Sequence, residues 1–183
     1  MKLNLNIKIT IFVLLLIWSV YLFDIILPFN IKNFGIIPRE LTGLWGIVFA
    51  PFIHGSLYHI TANSGALVVL LFTSLSYNRN AAIDALVIII ICSGICVWLF
   101  GGSNTVHIGA SGVIFGLIGF LLFSSVFSRD LKSIFFSIII FILYGGTLFT
   151  LLKYQPGISW SGHAFGFISG ILAAWLTNKF KED

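Results

Sequence analysis

Residues 109–128 read GASGVIFGLIGFLLFSSVFS, twenty residues without a charge and with glycine at 109, 112, 116 and 119. A helix needs about 20 mostly apolar residues to cross a bilayer, and 111–128 of this run supply most of that length. Five further segments have the same character, at about 9–28, 59–77, 81–101, 133–152 and 160–178. Composition points the same way. Of the 183 residues, 58% are hydrophobic and 9% charged, whereas an ordinary soluble domain carries roughly 25% charged residues. Ten Lys/Arg and six Asp/Glu are too few to solvate a compact surface this apolar. The +4 net charge is scattered, with no basic stripe to follow phosphates, so nucleic acid is not an expected partner. Cys92 and Cys96 lie within one apolar run, which excludes a disulfide scaffold. The reading is an all-α membrane protein with six spans in one domain, 1–183, and the lipid bilayer as its surroundings.

The first segment is too long for the apolar region of a signal peptide and carries Asp24 near its end, so it reads as a retained helix. Positive charge sets the orientation. Lys2, Lys8, Arg79, Arg129, Lys132, Lys179 and Lys181 fall on one side of the membrane, and Lys32, Arg39 and Lys153 on the other. The positive-inside rule then puts both termini in the cytoplasm, in a cell (inner) membrane. Most connections are short, but residues 29–58 form a long one, and long loops tend to be functional. Its second half, GLWGIVFAPFIHGSLYH (43–59), is too apolar for water and too broken by Gly and Pro to span. It is expected to be a partly membrane-embedded, non-cytoplasmic element packed on protein.

With the N-terminus inside, spans 2, 4 and 6 all enter from the non-cytoplasmic side, and their polar residues converge there. Span 2 begins with His59 and has Asn63 one turn deeper; span 4 begins at Ser111; span 6 has His163 in its first turn. Polar groups inside a membrane are costly and mark function by default. Small residues let the helices meet: Gly109, Gly112, Gly116 and Gly119 on span 4, and Gly162, Gly166, Gly170 and Ala174 on span 6. Small-xxx-small faces allow close backbone approach in lipid. Ala173 is expected to lie off that seam. Packing through these glycines would bring the Ser111 hydroxyl towards the His163 imidazole, the minimum for nucleophilic catalysis. His59 and Asn63, four apart and about 40° around a helix, point one way. Together with the Ser111 N–H they could donate to an oxyanion.

Each residue also has a plainer reading. Ser111 alone reads as a helix N-cap, and His163 as a packing residue or an intramembrane proton relay. His59 and Asn63 could simply tie the long loop to span 2. His107, in the outer loop, reads as a surface or loop-packing residue, and Cys92 and Cys96 as packing residues on span 3. His54 and His59 are five apart, about 140° around a helix. With no carboxylate or thiolate nearby, no metal and no cofactor are expected.

HGSLYHITANS (54–64), then GASG (109–112) opening a helix, then SGHAFGFISG (161–170) in the last one, together resemble the rhomboid intramembrane serine proteases. The resemblance covers essentially the whole chain, in a six-helix core form. It implies a Ser111–His163 dyad, with His59, Asn63 and the Ser111 N–H as oxyanion-binding groups. His54 matches a histidine the family uses structurally, and Phe115 an aromatic on which its catalytic histidine stacks. Gly109, Gly112, Gly166 and Gly170 support the site. The implied activity is serine endopeptidase cleavage of peptide bonds in or beside transmembrane helices of substrate proteins. The substrate enters laterally beside span 5 and is unwound, with small residues favoured at the cut. The loop KYQPGISWSG (153–162) reads as a mobile cap over a cavity that opens to the non-cytoplasmic side.

Three departures stand out. Phe115 stands where some relatives have a tyrosine, so a hydroxyl is missing but the stacking surface remains. Trp45-Gly46 replaces the family's frequent Trp-Arg, and no carboxylate lies near the dyad, since Asp84 and Asp130 are at the cytoplasmic side, so packing must orient His163. The rival readings are an inactive relative that binds membrane helices as a chaperone, and a small channel or transporter. The latter would usually show internal symmetry or helices broken near the midplane, whereas these polar groups cluster at one depth near one face.

Overall fold

The computed structural model describes residues 4–26, 28, 30–152 and 159–179. Among them are seven α-helices, six long and one of a single turn, with no strand beyond an isolated bridge. Helices α1 (Leu5–Ile26), α2 (Gly46–Phe49), α3 (Leu57–Tyr77) and α4 (Arg79–Phe100) are followed by α5 (Ser111–Ser128), α6 (Leu131–Tyr144) and α7 (Trp160–Lys179). Side chains written into the sequence start several of them. Ser56 accepts the His59 N–H at the head of α3, Asn78 the Ala81 N–H at α4, and Asp130 the Ser133 N–H at α6. Each satisfies one of the amide donors that a helix start leaves free.

Helices α1, α3, α4 and α5, together with the stretch Leu131–Leu152, are long and apolar enough to cross a membrane. The α7 helix is less apolar, with His163, three glycines and three hydroxyl-bearing residues among its twenty. Its position explains this: α7 packs along both α5 and α4, so protein rather than lipid surrounds much of it. That placement also corrects one expectation. Ala173 is fully buried, as is Ala174, because α7 is covered on two sides and not along the glycine face alone.

The fifth span differs in form from the single helix expected over 133–152. The α-helix ends at Tyr144 and continues as a 3₁₀ stretch from Gly145 to Leu152. Gly145-Gly146 weakens helix propagation there. The extra rise of 3₁₀ geometry, about 2.0 Å against 1.5 Å per residue, lengthens the element.

The long loop is likewise more regular than its Gly and Pro content suggested. It is a string of short turns, Ile31–Phe34, Leu41–Leu44, α2 and Ala50–Phe52, with α2 packed on α4. Asp24, at the end of α1, accepts the Ile31 N–H. Leu41, Trp45, Val48 and Phe49 leave an exposed apolar edge, which suits a lipid boundary better than water.

Candidate active site

The site assembles where α3, α5 and α7 begin. In α3, His59 is half-buried and Asn63 is 8% exposed. Both reach the backbone of Gly109. A Cβ built at that glycine would lie 2.6 Å from the His59 ring and 3.4 Å from Asn63 Nδ2. Gly109 also has φ +107°, a conformation L side chains rarely adopt. Glycine is therefore required there for space and for backbone shape.

The loop holds the turn before Ser111. Gly109 N–H donates to Ala50 O at 2.8 Å, and Ala110 N–H to His54 Nε2 at 3.4 Å. With Nε2 accepting, the His54 proton sits on Nδ1, facing Phe52 O at 3.4 Å. Burial pushes the His54 pKa down to about 4, helped by the neighbouring His59 and opposed by the Phe52 carbonyl. The ring thus stays neutral at pH 7, as an acceptor must. Ser111 is not the N-cap of α5. That position is Ala110, and no side chain caps it, so the Ser111 hydroxyl is not spent on a capping bond. The first amides of α5 have no intrahelical acceptor and carry the positive end of the helix dipole.

On α7, the His163 ring stacks on Phe115, centroids 4.2 Å apart and planes 15° from parallel. Phe115 lies one turn along α5 from Ser111, so the stack holds the imidazole on the serine's side of α5. The glycine seam makes this approach possible. A Cβ at Gly166 would collide with the Gly112 carbonyl, and one at Gly170 with that of Gly116. A Cβ at Gly112 would rest 3.4 Å from Gly162 O. Among the described residues, no hydrogen bond joins the Ser111 hydroxyl to the His163 ring. Catalytic hydrogen bonds are often long in substrate-free enzymes and tighten with substrate bound.

Asn63 Nδ2 is a buried donor with no hydrogen-bond partner. Leaving such a group unmade costs about 1–3 kcal/mol, and it sits beside the turn into Ser111. A negative charge developing there would meet this amide, the His59 ring and the free amides of α5. A cavity of about 40 Å³ is lined by Ser111, Gly112, Ser93, His107, Ser159 and Gly162, among others. A water needs about 10–15 Å³, so a few would fit. Among the described residues, no three His, Cys, Asp or Glu side chains gather as a metal site requires. Residues 153–158 of the expected cap lie outside the described residues.

Two features of the loop escaped the sequence reading. Gly46 stands where the family often has arginine, and a Cβ there would collide with the Gly35–Ile36 backbone. No side chain fits at that point. The loop is instead tied by Arg39, whose guanidinium donates to Leu99 O and Gly101 O, at 3.0 and 2.8 Å, and to Ser103 Oγ at 2.8 Å. Arg39 has φ +64° and lies some sixty residues from its partners, so no local pattern announced it. His107 proves to be a packed loop residue, bonded to Ser159 across 52 positions of chain.

The Rhomboid domain family matches residues 41–180. An uncharacterized protein of Mycobacterium tuberculosis is 38% identical over 169 residues, 88% of this chain and 70% of its own length. One from Mycobacterium leprae is 37% identical over the same number of residues, covering 67% of its length. RHOMBOID-like protein 4 of Arabidopsis thaliana is 25% identical over 145 residues, 72% of this chain and 34% of the plant protein. With the family match running from the first turn of the loop's apolar half through the end of α7, this chain belongs to the rhomboid family of membrane proteins.

Proposed function

We propose that this protein is an intramembrane serine endopeptidase that hydrolyses peptide bonds in or next to transmembrane helices of membrane-protein substrates. Ser111 Oγ attacks the scissile carbonyl while His163 takes its proton. The tetrahedral oxyanion is met by Asn63, His59 and the Ser111 N–H. On collapse the C–N bond breaks, His163 gives its proton to the leaving amine, and an acyl-enzyme remains on Ser111. Water, activated by His163, then attacks the ester and frees the serine. Both termini lie in the cytoplasm, and water reaches the site from the non-cytoplasmic face.

The observation that carries this reading is the stack of His163 on Phe115, one helical turn from Ser111. It holds the base that an acyl transfer requires, without a carboxylate to orient it. The unpartnered Asn63 amide favours an enzyme over an inactive helix-binding relative, because a purely structural asparagine would be expected to use its donor. The test is incubation of the purified protein with a transmembrane-helix substrate, beside Ser111→Ala and His163→Ala. Both variants should insert and fold yet lose cleavage, and the double variant should be hardly worse than either. A serine-directed fluorophosphonate should label Ser111 in the wild type. Appreciable cleavage by Ser111→Ala would overturn the assignment.

A further inference from the structure

We propose that His107 is a positioning residue for the Ser111–His163 pair, locking the first turn of α7 to the loop that delivers the serine. The proposal rests on the protease reading above. His107 stands four residues before Ser111, and its backbone is fixed on one side by both bonds of a bridge to Ile36, each 2.9 Å. On the other side its Nδ1 lies 2.6 Å from Ser159 Oγ, and its Nε2 lies 2.8 Å from Thr105 Oγ1.

The direction of each bond follows from what each atom can do. Thr105 Oγ1 sits 2.6 Å from Gly102 O, and a carbonyl only accepts, so the threonine proton is committed there. Thr105 must then accept from His107 Nε2–H. That tautomer leaves Nδ1 bare, so Ser159 donates its hydroxyl proton to it. Ser159 Oγ in turn accepts the Gly162 N–H at 3.1 Å, and Ser159 O accepts the His163 N–H at 3.1 Å. The result is a closed chain, from Gly162 N–H through Ser159, His107 and Thr105 to Gly102 O, with every donor matched. Burial lowers the His107 pKa from its ordinary value, which keeps the ring in the neutral form this chain needs.

The consequence is geometric. Ser159 is the residue from which α7 starts, and its carbonyl receives the amide of His163 itself. The glycine seam fixes how close α5 and α7 come, and a shift of one helix along the other would still carry His163 away from Ser111. The His107–Ser159 bond pins that motion at the end where the reacting atoms meet. A displacement of about 1 Å between reacting groups can cost 10²-fold in rate.

His107→Phe fills the space of the imidazole and removes its ring nitrogens; His107→Asn keeps an acceptor near the Nδ1 position. Steady-state cleavage should show kcat falling about 10- to 100-fold in His107→Phe with KM little changed, and most of that loss recovered in His107→Asn. Ser159→Ala should slow cleavage at least as much as His107→Phe, since it also removes the acceptor of the Gly162 N–H. Adding His107→Phe to it should cost little more, as expected of a shared bond. Fluorophosphonate labelling of Ser111 gives a second readout free of substrate binding, and should slow in parallel. If the wild type cleaves and labels while His107→Phe labels Ser111 at the same rate, the positioning role is wrong and the protease reading stands. A rise in KM alone, or His107→Asn as slow as His107→Phe, also overturns it. If the wild type itself fails to label, the protease reading falls and takes this role with it.

Discussion

Helix α5 and the Leu131–Leu152 element follow one another in the chain and are both strongly apolar, yet they sit in opposite environments. In α5, 56% of the membrane-crossing window is buried inside the protein; in Leu131–Leu152 the figure is 6%. The difference lies in where the small residues fall. Gly112, Gly116 and Gly119 let α7 lie against the α5 backbone, or Ile89 of α4 pack on it, whereas Ile138, Phe141, Ile142 and Leu143 of α6 stand exposed. In lipid, apolarity does not draw two helices together, so backbone shape decides which ones associate. The candidate catalytic side chains, Ser111 on α5 and His163 on α7, are carried by the helices that interlock. The neighbouring element is held by few buried groups, Ser133 and Ile140 among them.

This contrast can be broken or sharpened by experiment. The largest effect is expected where α3 meets the start of α5. Asn63→Ala should slow turnover by up to about 10²–10³-fold, the usual loss for one oxyanion donor. Because Asn63 Nδ2 makes no hydrogen bond in the resting protein, thermal stability should hardly fall. Unchanged turnover with a sharply lower Tm would make Asn63 structural.

Next comes the seam. Gly166→Leu and Gly170→Leu each drive a side chain into a carbonyl of α5, a strain of about 1–3 kcal/mol or more, and should cost about 10²-fold in cleavage rate per folded molecule. Ile142→Ala, on the exposed face of α6, should change that rate by less than about twofold. Leu at Ala173, expected from its place off the seam to be milder, meets a fully buried position, which belongs with the sensitive ones. Equal tolerance at Gly170 and Ile142 would dissolve the contrast between the two helices.

The smallest effect is a pH dependence. His54 holds the Ala110 amide only when neutral, and its folded pKa of about 4 lies below the ordinary 6.5. Protons therefore bind the unfolded chain more readily. The His54 contribution to stability is complete above about pH 6.5 and is lost as pH falls towards 4. Tm measured across that window should drop on acidification, and the drop should be shallower in His54→Gln, which retains an acceptor without titrating. An equal slope in wild type and variant would remove His54 as the cause.

Much of this was legible in one dimension because membranes simplify folding. Mostly apolar runs of about 20 residues mark helices, Lys and Arg between them suggest orientation, and the four-residue glycine spacing on 162–170 points to the face that packs. His59, Asn63, Ser111 and His163 stood out because each is a polar residue at the head of an apolar run. What the order of residues could not express is contact across long separations. The His107–Ser159 bond joins side chains 52 positions apart, and the Arg39 clamp ties a side chain to backbone carbonyls about 60 positions away; no periodicity connects such pairs. Nor could spacing reveal that Gly46 is pressed against backbone, that Ala110 rather than Ser111 heads α5, or that Ala173 is enclosed. Hydropathy and helical spacing are properties of one segment in its solvent, and they settle which segments become helices and which faces are apolar. Burial, capping and the choice of a hydrogen-bond partner depend on what a second segment brings to the same place, and only the assembled bundle decides that.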